Sequence, residues 1–476
     1  MMNSHPERIL QFGEGNFLRG FIEWMVQQMN ERIGFDASVV VVKPRPGNSL
    51  ERLQAQDCKY SVNLLGLAGG KPLNELHAID CISRAINPYS DFEAYLSLAG
   101  NADLRFVVSN TTEAGITFDP SCQLADTPPA SFPAKLTQLL YHRYLAFQGD
   151  NSKGLIMLPC ELITANGRHL CECVMRYIDL WADDMDGKAA EFRLWVQQSC
   201  HFCNTLVDRI VPGFPVKDVE GIQQRIGWAD NLIVQAEPYH LWVIETASNL
   251  SLEQLQQEFP ANKAGLNVIY TTDESPYHQR KLTLLNGPHT VLAPVAFLAG
   301  LDIVRDACQH PLVGTFIQRV IYDELMPTLN MPHDELLRYA DDVLQRFLNP
   351  YIDHQLTSIM LNSFAKFRTR DLPALKLCAS RGTLPHGIVT GLAAICTYYR
   401  GGTRADGTPI HPSDDPQIIS FITDLWQTGD PATVARAVLA ADTIWGEDLT
   451  AITGLTEMLT NDLQVIATQG ITALLS

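Results

Sequence analysis

The sequence predicts an α/β protein: a doubly wound, mostly parallel sheet domain at residues 1–275, followed by a mostly α-helical domain at residues 276–476. A short apolar run ending at Phe12 leads into a glycine-containing turn and then into apolar residues at helical spacing. Strand-like segments then alternate with helical patterns as far as Thr272, which is typical of parallel sheets covered by helices. From Gln279 onward nearly every segment has helical periodicity, and 476 residues exceed what one core usually supports.

The first domain is predicted to alternate strands and helices up to a boundary at 273–276, Asp-Glu-Ser-Pro. The predicted strand at 38–42, Ser-Val-Val-Val-Val, is typical of a parallel strand buried on both faces. The predicted strands are 8–12, 38–42, 60–67, 104–109, 154–158, 231–237, 240–246 and 268–272, and the predicted helices are 16–29, 91–99, 169–181 and 191–206. In the second domain, helices are predicted at 291–301, 311–324, 333–347, 355–367, 372–381, 386–400, 416–428, 431–440 and 452–476, with a turn-rich loop at 401–409.

The composition is that of an ordinary globular protein with a strong negative charge. Hydrophobic residues make up 46% of the chain, charged residues make up 18%, and the formal net charge is −18. Nucleic acids and anionic membranes are bound by clustered Lys and Arg, so neither is an expected partner. The sequence shows no secretory leader pattern and no apolar stretch near the roughly 18 residues of a membrane span. We therefore expect a cytoplasmic protein with a small-molecule substrate, and the oligomeric state is left open.

The eleven Cys residues fit reduced thiols better than a disulfide framework, because their number is odd and they are spread along a long chain. Two segments, 169–173 (His-Leu-Cys-Glu-Cys) and 200–203 (Cys-His-Phe-Cys), combine Cys with His. Neither has the two Cys-x2-Cys pairs of a structural zinc site, and both have apolar, helix-like surroundings in which Cys packs as a small hydrophobe. No metal is expected.

The turn Gly13-Glu14-Gly15 predicts a dinucleotide site. A glycine turn between a strand and a helix directs backbone N–H groups and a helix N-terminus at a phosphate. The usual fingerprint has a third glycine at the position of Leu18, so the spacing alone also fits a tight connection without a ligand.

The segment 281–289, Lys-Leu-Thr-Leu-Leu-Asn-Gly-Pro-His, carries three groups that can move protons or polarise an oxygen. On an ideal helix of about 100° per residue, His289 lies roughly 80° and Asn286 roughly 140° around from Lys281, so all three can face one cleft. Pro288 predicts a kink or a helix that restarts there, which frees a backbone carbonyl near Leu284. An amphipathic helix with a solvated Lys, a capping Asn and an incidental His has the same spacing.

The spacing Lys281-x4-Asn286-x2-His289 resembles the catalytic signature of the polyol-specific long-chain dehydrogenases, the mannitol dehydrogenase family. Three other segments match that family in the same order: 12–19 (Phe-Gly-Glu-Gly-Asn-Phe-Leu-Arg), 160–161 (Cys-Glu) leading to Asn166-Gly167, and 207–212 (Val-Asp-Arg-Ile-Val-Pro). Segments 9–19 and 109–115 further resemble the members that interconvert tagaturonate and altronate. The resemblance implies a Rossmann-like first domain and an NAD-dependent, metal-independent oxidoreductase acting on a sugar acid.

The resemblance also implies roles for individual residues. Lys281 is the general acid and base, Asn166 and Asn286 hold the reacting oxygen, and His289 positions a substrate hydroxyl. From the residues alone, Asp208 and Arg209 could form a structural ion pair or touch substrate, and we expect Arg209 to be structural and Asp208 to lie at the rim of the site. The cations Lys366, Arg368 and Arg370 are spaced by two, and Lys366 and Arg368 are the preferred candidates for a substrate carboxylate, although a basic run also fits a solvated face. The implied coenzyme contacts are Phe12, Gly13, Gly15, Asn16, Phe17, Arg19, Lys43, Asn110, Thr111 and Glu113. Several family members carry a proton-relaying carboxylate three residues before the lysine, where this chain has His278, so its proton route is left open.

The residues after the second strand leave the choice of coenzyme open. An NAD site usually has a carboxylate there, whereas this chain reads Lys43-Pro44-Arg45, and Lys and Arg are typical partners of the 2′-phosphate of NADP. The resemblance implies NAD, so NAD is the expected coenzyme and NADP is the alternative.

Other functions share part of this pattern. Reduction of fructuronate, or oxidation of mannitol or mannitol phosphate, would use the same residues. A non-catalytic dinucleotide-binding sensor would keep the glycine turn without needing Lys281, Asn166, Asn286 and His289 together. Their joint presence favours an enzyme.

Overall fold

The computed structural model describes residues 5–47, 50–112, 114–427 and 429–475. The chain separates after Glu274 into two compact units, which are described in turn. The predicted fold class is confirmed, because the first unit is built on a parallel sheet with helices and the second unit is mostly helical.

The core of the first unit is a six-stranded sheet with the order β5-β2-β1-β6-β7-β8, in which every pair is parallel. The strands in chain order are β1 (Glu7–Phe12), β2 (Ser38–Val42), β3 (Tyr60–Ala68), β4 (Lys71–Ile79), β5 (Ile82–Ile86), β6 (Phe106–Ser109), β7 (Ile156–Pro159), β8 (His201–Phe202), β9 (Asn204–Asp208), β10 (Val234–Ala236), β11 (Leu241–Glu245) and β12 (Val268–Thr271). Phe12 lies opposite Val42 of β2 and Ser109 of β6. The strand order reverses at β1 and β6, so their C-terminal ends border the crevice in which such sheets bind ligands.

Alternating side chains of the sheet belong to two separate cores. Val39 and Val41 of β2 pack in one core, whereas Val40 and Val42 pack in the other. Both faces are therefore covered, as the Val run predicts. The helical segments of this unit are Asn16–Leu18, a π turn at Arg19–Glu23, Trp24–Ile33, Leu50–Ala55, Phe92–Ser97, Phe132–Ala146, Asn166–Leu180, Ala189–Ser199, Val219–Ile226 and Leu252–Glu258.

Two smaller sheets complete the first unit, with the orders β10-β3-β4 and β12-β11-β9. The predicted strand at 60–67 is present as β3, but it pairs with β4 and β10 outside the main sheet. The strands β4 and β5 and the helix Phe132–Ala146 were not predicted.

The predicted helix at 191–206 is wrong in its second half. The helix Ala189–Ser199 ends where Cys200 takes extended backbone angles. Residues Asn204–Asp208 then form β9, which pairs antiparallel with β11. Pairing with a strand distant in the sequence has overridden the local helical spacing. Asp208 therefore lies at the end of a strand.

Asn166 was predicted in a loop, and the structure places it as the first residue of the helix Asn166–Leu180. The preceding residue, Ala165, has a left-handed conformation with φ 55°. That turn redirects the chain after β7, so the helix begins three residues earlier than its apolar spacing predicts.

The described residues of the second unit, 275–427 and 429–475, form helices and one short hairpin. The helical segments are Ser275–Lys281, a π turn at Leu282–Asn286, Gly287–Leu298, Val304–Gln309, Pro311–Arg319, a π turn at Val320–Leu325, His333–Phe347, Leu356–Ile359, Ser363–Arg370, Leu372–Ser380, His386–Tyr399, Pro416–Trp426, Pro431–Leu439, Asp442–Trp445 and Leu455–Gln469. The buried helix Gly287–Leu298 packs along the equally buried helix His386–Tyr399. The predicted helix at 355–367 is interrupted, since Asn362 has φ 53° and starts a new helix at Ser363.

Candidate active site

The glycine turn follows β1 at the crevice of the main sheet. Gly13 has φ +127°, and a Cβ there would lie 2.9 Å from Leu18 and 3.1 Å from the carbonyl oxygen of Asn110. Only glycine fits this position. The space beside Gly15 is open, and the helix begins at the exposed Asn16. The turn thus presents a helix N-terminus to an open space, which suits a phosphate.

The side chains of Phe12 and Arg19, both predicted coenzyme contacts, lie inside the fold. The ring of Phe12 packs against Tyr95 and Phe132, so Phe12 borders the turn only through its backbone. Arg19 is 9% exposed, and its guanidinium donates to the carbonyl oxygen of Leu232 at 2.6 Å and to Oδ1 of Asn16 at 2.5 Å. Arg19 thereby holds the side chain at the start of the helix.

The ends of β6 and β7 are joined by a buried carboxylate. Glu161, 2% exposed, accepts hydrogen bonds from the Ser109 hydroxyl at 2.9 Å and from the backbone N–H and hydroxyl of Thr111 at 3.0 and 2.9 Å. The side-chain amide of Asn110 donates to the carbonyl oxygen of Cys160 at 2.7 Å. These bonds fix the strand ends beside the turn. The predicted coenzyme residue Glu113 lies outside the described residues.

An apolar cavity of about 600 Å³ opens at these strand ends. It has the size of a small-molecule site and joins residues from four parts of the chain. Its lining residues are Phe17, Asn110, Thr112, Ala114, Glu161, Leu162 and Val207. Phe17 and Asn110 were predicted as coenzyme contacts, whereas Leu162 and Val207 carry no sequence pattern that distinguishes them from core residues.

The basic residues after β2 are engaged within the first unit. The Lys43 side chain is 3% exposed. The Arg45 guanidinium donates to the carbonyl oxygen of Thr111 and to the hydroxyl of Thr112, both at 2.7 Å. Thr112 has φ 92°, a strained conformation for a β-branched residue. Arg45 therefore links the end of β2 to the loop after β6.

The side chain of Asn166 is completely buried, and its amide is bonded to three parts of the backbone. Its Nδ2 lies 3.0 Å from the carbonyl oxygens of Pro159 and Glu161 and 2.9 Å from that of Thr205. Its Oδ1 accepts from the N–H groups of Gly167 and Thr205. Asn166 thus joins the end of β7, the start of its own helix and β9.

Asp208 is the last residue of β9, and Arg209 follows it. Asp208 is 4% exposed and lies opposite Leu241. Arg209 is buried, donates to the carbonyl oxygens of Glu237 and Gly20 at 2.9 and 2.8 Å, and packs over the ring of Trp24. These contacts agree with the structural role predicted for Arg209.

In the second unit, the segment 281–289 contains a π turn. Leu282–Asn286 form the turn, closed by a hydrogen bond from the Gly287 N–H to the Leu282 carbonyl oxygen. Asn286 and Gly287 keep helical backbone angles, so the chain continues through the π turn into the helix Gly287–Leu298, which has Pro288 in its first turn. The kink or restart predicted at Pro288 is thus replaced by a π turn just before it. Lys281, Asn286 and His289 are partly exposed, while the residues 283–285, 287 and 288 are buried. Helical π turns are frequent at functional sites.

Specific contacts hold the two ends of this turn. Arg280, 4% exposed, donates to Glu335 at 2.7 Å and packs over Tyr339. The Thr290 hydroxyl donates to the carbonyl oxygen of Asn286 at 3.0 Å. The turn that carries the three polar side chains is thus anchored on both sides.

Two aromatic rings contact His289. Its ring centroid lies 4.1 Å from that of Phe347 and 5.3 Å from that of His354. Burial lowers the pKa of His354. A half-buried imidazole held between rings is a suitable group for positioning a ligand hydroxyl.

The three cations of the run 366–370 lie on the short helix Ser363–Arg370 and have different partners. Lys366 donates to the carbonyl oxygen of Ile359 at 2.7 Å, and Arg368 donates to that of Ile444 at 3.3 Å. Arg370 donates to the Thr290 hydroxyl at 3.1 Å and lies 3.5 Å from the carbonyl oxygen of Asn286. Arg370 is thus the member of the run that contacts the π turn and the helix after it.

His278 lies one helical turn before Lys281. Its pKa is lowered by burial and by the positive charge of Lys281. A neutral imidazole can both accept and donate a proton.

Burial raises the pKa of three thiols in the segments 169–173 and 200–203, to about 12 for Cys200 and Cys203 and to about 11 for Cys171. Within 5–47, 50–112, 114–427 and 429–475, no three His, Cys, Asp or Glu side chains form a group that could hold a metal ion. Over those same ranges, no helix has the length and apolar character needed to cross a membrane.

Comparison with known families matches both parts of the chain. Residues 7–256 match the mannitol dehydrogenase Rossmann domain, and residues 273–467 match the mannitol dehydrogenase C-terminal domain. The chain belongs to the mannitol dehydrogenase family. The family predicted from the sequence is therefore confirmed.

Relatives within the mannitol dehydrogenase family are similar over nearly the whole chain. An altronate oxidoreductase of Phocaeicola vulgatus is 56% identical over 466 residues, which cover 98% of this chain and 95% of the relative. An altronate oxidoreductase of Bacillus subtilis is 46% identical over 95% of this chain and 91% of the relative.

Solved structures of low sequence identity share the fold. A D-sorbitol dehydrogenase in substrate-free form covers 100% of this chain and 96% of its own chain, with a TM-score of 0.83 and 21% identity. Mannitol 2-dehydrogenase of Pseudomonas fluorescens, in a ternary complex with NAD and D-mannitol, covers 100% and 94% with a TM-score of 0.69 and 22% identity.

Proposed function

We propose that this chain is an altronate oxidoreductase that interconverts D-tagaturonate and D-altronate with NAD as coenzyme. The observation that carries the proposal is the π turn at Leu282–Asn286, which presents Lys281, Asn286 and His289 together in a chain 56% identical to a protein of that name. The glycine turn and the cavity beside it supply the coenzyme half of the proposal.

The first unit fits a dinucleotide. The helix N-terminus at Asn16 and the open space beside Gly15 suit the pyrophosphate. The cavity lined by Phe17 and Leu162 suits the flat nicotinamide ring. When bound, NADH supplies the hydride that is added to the keto carbon of the sugar acid.

Lys281 supplies the proton that balances the reaction. In reduction it donates a proton to the carbonyl oxygen, and in oxidation it takes that proton back from the hydroxyl. Asn286 donates a hydrogen bond to the same oxygen, an interaction worth most where water is excluded. His289, held against Phe347, positions a neighbouring hydroxyl. The oxygen-holding role of Asn166 stays a prediction, and its observed bonds to Pro159 and Thr205 give it a structural role as well.

The substrate carboxylate requires a cation. Arg370 is the strongest candidate, since it contacts Asn286 and Thr290 at the turn. Lys366 and Arg368 remain candidates from the same helix, with Asp208 proposed for the sugar hydroxyls. A guanidinium can bind a carboxylate through two parallel hydrogen bonds, which fixes its orientation.

The contacts of Lys43 and Arg45 support NAD over NADP. A 2′-phosphate needs a cation that is available to it. Lys43 is buried, and Arg45, although exposed, already donates through Nη2 to Thr111 and Thr112. We expect a higher kcat/KM with NADH than with NADPH. A tenfold preference for NADPH, equivalent to about 1.4 kcal/mol, would contradict this part of the proposal.

A direct assay tests the function. Purified protein is mixed with NADH and, separately, tagaturonate, fructuronate, fructose and fructose phosphate, and NADH oxidation is followed with and without EDTA. The proposal expects the highest kcat/KM with tagaturonate and no effect of EDTA, because Lys281 and an amide polarise the carbonyl. Preference for fructuronate would indicate a fructuronate reductase, and preference for a neutral ketose or its phosphate would indicate a mannitol or mannitol-phosphate dehydrogenase. NADH binding without turnover of any substrate would indicate a sensor. Loss of turnover in EDTA that zinc restores would contradict metal independence.

A further inference from the structure

A buried acid lies behind the coenzyme turn. Glu23 is 0% exposed and ends the π turn Arg19–Glu23 of the first helix. Its Oε1 accepts a hydrogen bond from the side-chain amide of Gln11 at 2.6 Å, and its Oε2 lies 2.5 Å from the hydroxyl of Tyr60. The chemistry proposed above does not use this carboxyl group.

On one side, Glu23 is connected to the glycine turn through Gln11. The Gln11 amide donates one hydrogen to Glu23 and the other to the carbonyl oxygen of Gly13 at 2.8 Å. Gln11 is itself 0% exposed, so no water competes for these bonds. The position of the Gly13 carbonyl therefore depends on the partner that orients Gln11.

On the other side, Glu23 is connected to the start of the helix. Tyr60 contacts both Glu23 and the carbonyl oxygen of Arg19, the latter at 2.9 Å. The guanidinium of Arg19 donates to the side chain of Asn16. Through Gln11 and Tyr60, the contacts of Glu23 thus reach both ends of the turn.

The single hydroxyl hydrogen of Tyr60 bears on the protonation state of Glu23. A phenol has one hydrogen to donate, and the carbonyl oxygen of Arg19 can only accept. If Tyr60 donates to Arg19, its short contact with Glu23 needs a hydrogen from the carboxyl group. If Tyr60 donates to Glu23, two acceptors face each other at 2.9 Å. A protonated Glu23 gives each of the two contacts its own hydrogen, whereas an ionised Glu23 would have to share the single phenol hydrogen with the carbonyl oxygen of Arg19.

We propose that Glu23 keeps its proton at neutral pH and is a positioning residue for the coenzyme, holding the Gly13–Asn16 turn in its phosphate-binding conformation through Gln11 and Tyr60. The coenzyme part of this inference rests on the function proposed above, whereas the protonation of Glu23 does not. Burial raises the pKa of Glu23 even though Tyr60, Gln11 and Arg19 act to lower it, which agrees with the hydrogen count.

The titratable groups around Glu23 define its pH response. Among the described residues these are Arg19, Tyr60, Cys58 and Cys81. Burial raises the pKa of Tyr60, Cys58 and Cys81, so the three are neutral at pH 7 and Arg19 carries the positive charge. A carboxyl whose pKa is raised on folding stabilises the fold least at high pH. Its contribution is fully present below the ordinary Glu pKa of about 4.3 and is lost as the pH rises through the raised value.

Glu23→Gln tests the protonation state. Its amide N–H can replace the carboxyl hydrogen toward Tyr60, while its oxygen still accepts from Gln11. We expect this variant to unfold at a higher Tm than the wild type at pH 8, and the difference to shrink as the pH is lowered toward 4. A variant less stable than the wild type at pH 8, by a margin that shrinks toward pH 4, would show that Glu23 is ionised and overturn the inference.

Gln11→Leu tests the positioning role, with Gln138→Leu as its matched control. Gln138 is also a buried glutamine whose amide donates to two backbone carbonyls, those of Leu124 and Asp126 at 2.7 and 2.8 Å, away from the glycine turn. We expect Gln11→Leu to raise the Kd of NADH, measured by fluorescence titration, about tenfold, which is equivalent to about 1.4 kcal/mol. Gln138→Leu should lower Tm but leave the Kd within twofold.

The outcomes separate this inference from the proposed function. Equal Kd values for both leucine variants would make Gln11 a structural residue and overturn the positioning role. Glu23→Gln should retain a Kd within threefold of the wild type, since it keeps the neutral bonding pattern, and a tenfold rise would also count against the inference. If the wild type bound no NADH at all, both the proposed function and the positioning role would be wrong. The Tm of Glu23→Gln measured across pH would still decide the protonation state of Glu23.

Discussion

Gly287 packs directly against the carboxyl group of Asp371. A Cβ at Gly287 would lie 2.7 Å from Oδ1 of Asp371, which real atoms do not tolerate without movement. Asp371 is 0% exposed, and within the described part of the chain neither of its side-chain oxygens has a hydrogen-bond partner. The buried carboxyl group of Asp371 thus leaves no room for a side chain at Gly287, directly after the π turn.

A double-mutant cycle measures this contact. We expect Gly287→Ala to lower the free energy of unfolding by about 1–3 kcal/mol, the usual cost of overpacking, and to lower kcat because the turn moves. Asp371→Ala should relieve the clash, so the double variant should recover most of the loss. Chemical denaturation and steady-state kinetics on all four proteins give the coupling energy. Additive effects would mean that the two residues do not interact.

Asp371→Asn should be more stable than the wild type at neutral pH. Burial raises the pKa of Asp371 well above its ordinary value, so the folded state binds this proton more tightly than the unfolded state does. The stability of the wild type therefore falls as the pH rises above about 3.9, the ordinary Asp pKa. The asparagine variant has no such group to ionise, so its stability does not fall for this reason. Tm measured from pH 4 to pH 8 should show a gap that widens with pH. A constant gap would indicate that Asp371 does not change its protonation between folded and unfolded states.

Lys281→Ala should lose on the order of 10²-fold to 10⁴-fold in kcat, the usual effect of removing a general acid. Its NADH affinity should stay close to that of the wild type, because the glycine turn belongs to the first unit. Arg280→Ala is the neighbouring control, and its loss of the Glu335 bond should lower Tm. A Lys281→Ala variant with near-normal turnover would remove the lysine from the mechanism.

Asn166→Ala should unfold at a lower temperature than the wild type in addition to losing activity. Its amide joins β7, β9 and its own helix, and its removal leaves buried backbone groups without partners, at a cost of about 1–3 kcal/mol for each such group. Differential scanning calorimetry without ligands isolates this effect. An unchanged Tm with reduced kcat would favour a purely catalytic role.

Arg370 and Arg368 can be separated by comparing substrates. Arg370→Ala should raise KM for a keto-uronate much more than for the matching neutral ketose, since only the acid needs a cation. Arg368→Ala, which loses a bond to Ile444, serves as the control and should affect both substrates equally. If Arg368→Ala raised KM for the keto-uronate selectively and Arg370→Ala did not, the carboxylate would be assigned to Arg368, the residue predicted from the sequence.

Local patterns in the sequence were sufficient for much of the fold. The Val run of β2 predicts a fully buried parallel strand, and the glycine turn predicts the strand-to-helix connection, because both depend on neighbouring residues. The helix Phe132–Ala146 was not predicted, although Ser131 as its cap and Pro133 in its first turn are local signals for it.

Features that depend on distant residues were not predictable. β9 forms a strand because it pairs with β11, and Asn166 is held by Thr205, 39 residues later in the chain. The spacing of Lys281, Asn286 and His289 also fits an ordinary amphipathic helix, so the candidate site was predicted from the resemblance to the family. The orientation of Arg370 toward the π turn and of Arg368 toward Ile444 depends on tertiary packing that no local pattern records.

The π turn before Gly287 also sets the direction in which the polar groups face. A π turn is equivalent to one extra residue inserted in an α-helix, so the residues after it are turned back by about 100° relative to a regular helix of the same length. On this geometry His289 lies roughly 20° around from Lys281, instead of the roughly 80° of a regular helix. Removing one residue from 283–285 would allow regular α-helical bonding and keep this direction, because His289 would then lie nearly two full turns after Lys281. An added residue would instead turn everything after it by about 100° and move His289 off the side that it shares with the lysine.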